Sequence, residues 1–334
     1  MILTVIIPAY NVERFLEKTL ASFVFEEMSG KVEIITVDDG SKDRTAEIAH
    51  SYEEKYPQVF RTISKANGGH GSTINSGIEA ARGKYFKVVD GDDWVDTEAF
   101  AGLVKFLERC DADCVVSNYC EVNDTTGEMT PVEYHKFFTQ KKSVLFSEIA
   151  ETVSLALHSM TLRTEILKKN PKRLDEHCFY VDVEYILYQI PYIHTVTFGD
   201  FSVYRYRIAQ QAQSVSVLGF QKHVDEHLFV SLQLAAFARE YETSEGAERA
   251  KVEYITKRTA QMVVGQAAIF QSFPHGDKEV LRKFKKYDAD LKKTNEKIYL
   301  CSGSLSPTLR MLRKFRFRFY RVILWTREKV RRKL

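Results

Sequence analysis

The sequence Tyr85-Phe-Lys-Val-Val-Asp-Gly-Asp-Asp-Trp94 decides how the rest of the chain is interpreted. Its first half is apolar and β-branched, which predicts a buried strand, and it stops at three carboxylates, those of Asp90, Asp92 and Asp93. Carboxylates this close repel one another unless a cation lies among them. Two carboxylates around Gly91 could hold a hard divalent ion, while the glycine lets another group approach closely. A solvated acidic turn is the alternative interpretation, since Asp and Gly are common turn residues.

Short apolar runs that end in polar residues recur along this part of the chain. Strands are predicted at residues 2–7, 32–37, 60–64, 85–89 and 114–119. Helical periods separate them, and alternating strands and helices predict a parallel sheet covered on both faces. Right-handed crossovers bring the carboxyl ends of the strands to one edge, where ligands bind in open α/β sheets. Pro8-Ala-Tyr10, Asp38-Asp39, Asn67-Gly68 and residues 90–93 all fall at that edge, which favours a binding site over a solvated turn.

The composition is that of a globular protein of 334 residues, with 44% hydrophobic and 28% charged residues and a net charge of +3. The five cysteines are scattered without a CxxC pair, so we expect reduced thiols in a cytosolic protein rather than disulfides or a zinc site. The apolar start is too short for a signal peptide and lacks its basic segment. No apolar run approaches the length of a membrane span.

The pattern changes after the predicted sheet. Residues 121–142 are irregular and polar, which predicts loops with a hairpin. Helices are expected near 146–157 and 162–168, followed by a strand at 196–206. Longer helical periods predict three helices at 220–241, 248–270 and 278–297.

Four motifs occur in a fixed order along the chain. They are Val5-Ile-Ile-Pro-Ala-Tyr-Asn11, Val37-Asp-Asp-Gly-Ser-Lys-Asp-Arg-Thr45, Asn67-Gly-Gly and Asp90-Gly-Asp-Asp-Trp94. With these motifs in register, the chain resembles a family 2 glycosyltransferase of the GT-A fold, closely over residues 1–120 and loosely over 150–217. The resemblance implies an α/β fold over residues 1–217, a Rossmann-like, mostly parallel sheet with helices on both faces. The donor half would be 1–120 and the acceptor half 121–217, with a helical region at 218–300 and a basic amphipathic helix at 306–334.

The resemblance also implies an activity and a donor site. Enzymes of this family move a sugar from a nucleotide diphosphate donor, most often a UDP-sugar, to an acceptor hydroxyl with inversion of the anomeric centre. The nucleotide-sugar site would comprise Pro8, Ala9, Tyr10, Asp39, Asn67, Gly68, Asp90 and Arg207. Residues 8–10 would line the base and Asp39 would hydrogen-bond the uracil or ribose. Turn and packing roles are the alternative for Pro8 and Tyr10.

Asp90-Gly-Asp92 matches the Asp-x-Asp motif of the family. The match implies Mn²⁺ or Mg²⁺ as cofactor, with Asp92 as a ligand of the ion and Asp90 reaching the ribose, the metal or its waters. Such an ion offsets negative charge on the UDP leaving group as the glycosidic bond breaks. Whether Asp93 supports these ligands is left open.

The general base of the family usually comes from a Glu-Asp pair downstream of the sheet. Here the matching segment is Phe179-Tyr-Val-Asp-Val-Glu184, in which Asp182 takes the place of the Asp and Val181 that of the Glu. Glu184 is the competing candidate. Neighbouring aromatic residues would desolvate the carboxylate and raise its pKa, which suits a base working near neutrality. The alternative is that these acids cap or solvate the start of a helix.

The segment Tyr204-Arg-Tyr-Arg-Ile-Ala-Gln-Gln211 resembles part of the closing segment of the family. Arg205, Arg207 or Gln211 could contact the pyrophosphate or the acceptor, and which of them faces the site is open. His158 and His177 are further candidates, although a lone histidine is more often structural.

The chain departs from the family pattern at two points. Many relatives carry Ala-Arg-Asn after the Gly-Gly loop, whereas this chain has Thr73-Ile-Asn75 and so lacks one basic contact. The Gln-x-x-Arg-Trp motif and the transmembrane helices of processive enzymes are absent from the sequence. We therefore expect transfer of a single sugar per encounter.

The sharpest shift in composition lies at Arg310–Leu334, within the basic helix predicted at 306–334. The range from Arg310 to Lys333 contains eleven Lys and Arg residues and one acidic residue, Glu328. Apolar residues recur in it near helical spacing. An Arg-rich amphipathic helix suits the interface of an anionic membrane, so we expect a peripheral protein on the inner face of the cell membrane with a lipid-linked or other glycan acceptor. A charged helix packed on the domain is the alternative. Nucleic-acid binding is not expected, because no nucleic-acid module accompanies the basic segment.

Two other functions remain as alternatives. A sugar nucleotidyltransferase would show a Gly-rich phosphate loop directly after the first strand, where this chain has Pro8-Ala-Tyr-Asn11. A catalytically inactive membrane scaffold of the same fold is disfavoured by intact Asp90, Asp92 and Asp182. The helices at 220–297 could shape the acceptor side or mediate homo-oligomer formation.

Overall fold

The computed structural model describes residues 1–137, 143–208, 216–274 and 276–331. The predictions made for Gln211, Arg332 and Lys333 therefore lie outside the described residues. The chain divides into two compact units, Met1–Gln210 and Gln211–Leu334. The first is built around a sheet and the second is helical.

The described strands form one mixed sheet in the first unit. They are β1 (Leu3–Ala9), β2 (Val32–Asp38), β3 (Phe60–Ser64), β4 (Tyr85–Val88), β5 (Trp94–Val95), β6 (Cys114–Asn123), β7 (Met129–Val132), β8 (Val144–Leu145), β9 (Met160–Arg163) and β10 (Thr195–Ile208). Their order across the sheet is β3-β2-β1-β4-β9-β6-β10-β5, while β7 pairs with β6 and β8 with β10. The predicted α/β architecture is confirmed.

The centre of the sheet follows from the apolar runs of the sequence. Every residue of β1 and of β2 is buried, because the two strands are covered on both faces. β1 is parallel to β2 and to β4, and β2 is parallel to β3. The carboxyl ends of these four strands therefore lie along one edge, as predicted. β6 and β10 are also parallel to each other.

One strand in the sheet was predicted as helix. β9 runs antiparallel between β4 and β6, although a helix was expected at 162–168. That prediction is wrong for residues 162 and 163, because a short apolar run suits a strand or a buried helix equally well. The hairpin expected within 121–142 is confirmed by the antiparallel pairing of β6 with β7.

Helices flank the sheet in the first unit. They are α1 (Glu13–Ala21), α2 (Thr45–Lys55), α3 (His70–Ala80), α4 (Thr97–Leu107), α5 (Phe146–Ile149), α6 (Thr164–Lys169) and α7 (Asp182–Leu187). The helix expected at 146–157 is thus much shorter than predicted. All five cysteines of the chain are free thiols.

The second unit is built from helices that are more broken than the sequence suggested. They are α8 (Val217–Lys222), α9 (Val224–Glu242), α10 (Arg249–Phe270), α11 (Lys278–Thr294), α12 (Glu296–Leu305), α13 (Pro307–Lys314) and α14 (Tyr320–Arg331). The helix predicted at 278–297 ends at Thr294. The side chain of Asn295 caps the next helix by accepting from the N–H of Ile298 at 3.1 Å. In the described part of the chain, none of the helices has both the length and the apolar character needed to cross a bilayer.

Candidate active site

The carboxyl ends of β1, β2 and β4 bring the predicted motifs together. Ala9 pairs with Asp38 in the register of the sheet, and the N–H of Asp39 donates to the carbonyl of Ala9 at 2.9 Å. On the other side of β1, the N–H of Gly91 donates to the carbonyl of Pro8 at 3.0 Å. A β-carbon at Gly91 would lie 2.8 Å from that carbonyl oxygen, so a glycine is needed for this approach. Asp39 and the acidic loop at 90–93 therefore flank the end of β1.

The three residues predicted to line the base lie at the end of β1. Pro8 and Ala9 are buried within the strand, whereas the side chain of Tyr10 is 49% exposed. Of the three, only Tyr10 offers a large accessible surface, and an exposed aromatic ring is a suitable partner for a planar base.

The carboxylate of Asp39 is buried and holds the glycine-rich loop. It accepts hydrogen bonds from the N–H of Gly68 at 2.9 Å, from the N–H of Gly69 at 2.7 Å and from the Lys65 ammonium at 2.9 Å. The Asn67 amide donates to the main-chain carbonyl of Asp39 at 3.1 Å. These bonds fix the chain at the start of α3. Recognition of uracil or ribose by Asp39 stays a prediction.

His70 is a site residue that sequence reasoning missed. It begins α3, and its Nε2 lies 2.8 Å from an oxygen of Asp90. Burial alone would lower the pKa of His70, but the negative charges of Asp90, Asp182 and Asp92 outweigh it and raise the pKa. The available signal was its position directly after Asn67-Gly-Gly, in a glycine-rich loop that leads into a predicted helix. His70 thus supplies a basic group between the acidic loop and Asp182.

Asp93 is the buried carboxylate of the acidic loop. Its carboxylate accepts from the Tyr204 hydroxyl at 2.7 Å and from the main-chain N–H of Arg207 at 2.7 Å. Burial and the charges of Asp92 and Asp90 raise the pKa of Asp93 well above its ordinary value. Both oxygens of Asp93 are therefore engaged by β10, which suits a residue that shapes the loop.

Arg207 lies behind the acidic loop with 11% of its side chain exposed. Its Nε donates to the main-chain carbonyl of Asp92 at 2.8 Å, and its guanidinium also pairs with Asp124. The guanidinium carbon lies 4.7 Å from the ring centroid of Phe15 and 4.8 Å from that of Trp94. Contact of Arg207 with a nucleotide sugar stays a prediction.

His158 lies against the same carboxylates. Its ring stacks on Tyr206 with centroids 4.1 Å apart and lies 4.7 Å from the ring of Tyr204. Ligand atoms of Asp90, Asp93 and His158 all lie within 4.8 Å of one another, an arrangement that could hold a metal ion. Burial lowers the pKa of His158 to about 4, so the imidazole is neutral at pH 7 and keeps a lone pair. The sequence had favoured a structural role for it.

Lys87 anchors the segment that carries His158. It is fully buried on β4, and its ammonium donates to the carbonyls of His158 at 2.8 Å and Met160 at 3.3 Å. Burial lowers the pKa of Lys87 to about 7. Nothing in the apolar run of β4 indicated which segment this lysine would bind.

Asp182 is the first residue of α7 and is exposed. Surrounding protein atoms still desolvate its carboxylate, and together with the charge of Asp90 they raise the pKa of Asp182 against the opposing effect of His70. Charges that shift one another's pKa lie close together, so Asp182 lies near His70 and Asp90.

Glu184 is bound by residues outside this cluster. It is fully buried, accepts from the N–H of Asp175 at 3.0 Å and receives the Tyr188 hydroxyl at 3.2 Å. Burial raises the pKa of Glu184 to about 8. Of the two candidate bases, Asp182 is the one that is accessible.

Comparisons with known proteins support this fold. The model of the family described as "Glycosyl transferase family 2" matches residues 4–169. The uncharacterized glycosyltransferase EpsJ of Bacillus subtilis is 28% identical over 293 residues, which cover 86% of this chain and 84% of that protein. The poly(ribitol-phosphate) beta-glucosyltransferase of Bacillus spizizenii is 29% identical over 181 residues, which cover 53% of this chain and 27% of that protein.

A solved structure extends the likeness over the chain. The crystal structure of S. aureus TarS residues 1–349 in complex with UDP-GlcNAc covers 98% of this chain and 92% of its own, with a TM-score of 0.66 and 19% identity. At this identity the likeness establishes the fold. The protein is thus a glycosyltransferase with a GT-A fold. It belongs to glycosyl transferase family 2, as the motifs of the sequence predicted.

Proposed function

We propose that the protein transfers one sugar from a UDP-sugar to a hydroxyl of a glycan or lipid-linked acceptor, with inversion and with a divalent metal. The observation that carries the proposal is the position of Asp182, an exposed carboxylate whose pKa responds to both His70 and Asp90. A base and the acidic strand end thus share one edge of the sheet. A binding protein without catalysis has no need for such an arrangement.

The donor would bind across the ends of β1 and β2. Tyr10 offers an exposed ring for the base, and Asp39 fixes the loop at 67–69 that borders it. The start of α3 presents main-chain N–H groups and His70, which favour negatively charged phosphate oxygens. UDP is the preferred nucleotide because the fold matches a structure with bound UDP-GlcNAc over nearly the whole chain.

The residues present fit a divalent metal. Asp90 and His158 contribute a carboxylate and a neutral imidazole close together, and carboxylate oxygen is a ligand that suits Mn²⁺ or Mg²⁺. Asp92 is half-buried on the same loop, and we assign Asp90 and Asp92 to the ion, with His158 as a third donor. A bound ion would offset the charge that develops on the leaving diphosphate. Asp93 would hold the loop through β10 instead of ligating directly.

The base would be Asp182. Its carboxylate would take the proton of the acceptor hydroxyl while that oxygen bonds to the anomeric carbon and UDP leaves from the opposite face. The raised pKa makes Asp182 a stronger base than an ordinary aspartate, which suits deprotonation near neutral pH. The acceptor is a hydroxylated polymer precursor, a class suggested by the relative that glucosylates poly(ribitol-phosphate).

Calorimetric titration with UDP tests the proposal. The protein should bind UDP with Mn²⁺ present, bind it at least about tenfold more weakly after metal removal, and bind GDP more weakly than UDP. Asp92→Ala should lose the metal effect. A matched control is Asp111→Ala, since Asp111 is 86% exposed and precedes β6 at the opposite edge of the sheet. If the affinity for UDP changed neither on metal removal nor in Asp92→Ala, the assignment of Asp92 to the metal would be contradicted.

A further inference from the structure

The segment 309–325 of the second unit carries two separate sets of apolar side chains. The buried set is Leu309, Leu312, Phe317, Tyr320 and Leu324. The exposed set is Met311, Phe315, Phe319, Val322 and Trp325. One amphipathic helix was predicted here, but the segment forms α13 and α14 with a turn between them. The buried set and the exposed set therefore have different roles.

The buried set attaches this segment to its own unit. The ring of Phe317 meets that of Phe284 edge-on with centroids 4.9 Å apart, and the Tyr320 hydroxyl donates to the carbonyl of Phe270 at 2.6 Å. Arg313 pairs with Asp288 at 2.7 Å, and both side chains are more than 90% buried. The buried set and Arg313 therefore attach α13 and α14 to the unit, and the exposed set is not needed for this packing.

The turn between the two helices places some side chains inside the unit and others at its surface. Arg316 and Phe317 have φ values of 49° and 61°, in the left-handed region that ends a helix. Phe317 then points inward, while Phe315 and Phe319 stay outside with their rings edge-on and centroids 5.0 Å apart. Along α14, Val322 follows Tyr320 by two residues, or about 200° around the helix. The exposed apolar residues thus lie away from the buried ones.

Cations surround the exposed set. Arg310, Lys314, Arg316, Arg318 and Arg321 are all exposed. Within the described residues, none of these five forms an ion pair, in contrast to the buried Arg313. We call the exposed apolar set together with these five cations the outer face.

We propose that the outer face binds the surface of an anionic lipid bilayer. Aromatic and aliphatic side chains would enter the interface between headgroups and acyl chains, and the arginines and lysine would contact lipid phosphates. A second copy of the chain suits this face poorly, because a twofold interface would bring two sets of five cations together. A soluble polyanion would satisfy the cations and leave the five apolar side chains in water.

Vesicle sedimentation with the full chain tests this proposal. The protein should sediment with vesicles of equal phosphatidylcholine and phosphatidylglycerol, should remain in solution with phosphatidylcholine alone, and should be released by salt. Sedimentation equilibrium of the protein without lipid gives its mass. Absence of binding to the anionic vesicles, or a dimer that Phe319→Ser converts to a monomer, would overturn the proposal.

Two pairs of matched variants make the test specific. The double variant Phe319→Ser with Val322→Ser, at residues that are 46% and 55% exposed, should abolish vesicle binding. The control double variant Phe229→Ser with Leu218→Ser, at residues that are 45% and 77% exposed and lie outside the outer face, should retain vesicle binding. Arg318→Gln with Arg321→Gln should weaken binding about tenfold or more. Lys55→Gln with Lys105→Gln removes the same charge from exposed positions of the first unit and should change affinity less than about twofold. If a control double variant lost as much vesicle binding as the matching outer-face variant, the assignment of binding to the outer face would be contradicted.

Discussion

Asn75 and Leu174 form a reciprocal pair of hydrogen bonds although 99 positions separate them. The Asn75 amide donates to the carbonyl of Leu174 at 2.9 Å, and the N–H of Leu174 donates back to the amide oxygen at 3.1 Å. Asn75 lies on α3, the helix that His70 begins, and Leu174 precedes the segment that leads to Asp182. The candidate base is therefore tied to the donor side of the site through α3.

Gly71→Ala should disturb this connection. A β-carbon at Gly71 would overlap the carbonyl oxygen of Asp175 and lie 3.1 Å from the Leu174 side chain, so the segment before α7 must shift. We expect turnover to fall at least about tenfold, since small displacements of positioned groups cost rate. Initial-rate kinetics check this.

The matched control is Gly102→Ala. Gly102 also lies inside a helix, but a β-carbon there meets nothing within 4 Å. This variant should keep its activity and gain up to about 1 kcal/mol of stability from helix propensity. Unchanged turnover in Gly71→Ala would show that the segment can move without harm to the site.

Asp182→Asn should separate chemistry from binding. The amide cannot accept the acceptor proton, so we expect kcat to fall by roughly 10²- to 10⁴-fold while the Kd for UDP stays within about twofold. Glu184→Gln serves as control, because Gln resembles the protonated carboxyl that the raised pKa of Glu184 favours. If Glu184→Gln lost the activity and Asp182→Asn retained it, the two roles would be reversed.

Glu184 should make the stability of the fold depend on pH. Its pKa is raised from 4.5 to about 8, so the folded protein holds this proton more tightly than the unfolded chain. The stabilisation is fully present below about pH 4.5 and is lost as the pH rises through 8. Urea unfolding between pH 5 and pH 9, roughly the titration range of this group, should show a smaller decline in Glu184→Gln than in the wild type. Parallel declines would mean that Glu184 ionises normally.

Asp39→Asn should destabilise the first unit. The carboxylate accepts from two main-chain N–H groups and from Lys65, and an amide would retain only part of these bonds. Hydrogen bonds to charged groups contribute about 1.5–3 kcal/mol, so a loss of about 2–4 kcal/mol in unfolding free energy is expected. A double-mutant cycle with Lys65→Met measures the share of the ion pair. A loss below about 0.5 kcal/mol would indicate that the loop is held by other contacts.

Sequence patterns predicted the central strands because β1, β2 and β4 are apolar runs that end in polar residues, a local signal. They also predicted which carboxylates gather at the edge, since parallel strands align their ends. The bond from Tyr204 to Asp93 joins residues 111 positions apart, and periodicity carries no information on such a pair. His158 was undervalued for the same reason, because the stacking of its ring on Tyr206 depends on how β10 packs.

A donor screen that measures release of the nucleoside diphosphate tests most directly whether the protein is a metal-dependent UDP-sugar transferase. UDP-sugars and GDP-sugars are supplied with and without Mn²⁺ to the wild type, Asp182→Asn and Asp92→Ala. We expect UDP formation from at least one UDP-sugar, dependent on Mn²⁺ and lost in both variants. Turnover of GDP-sugars alone, or UDP release that persists in both variants, would refute the proposed activity.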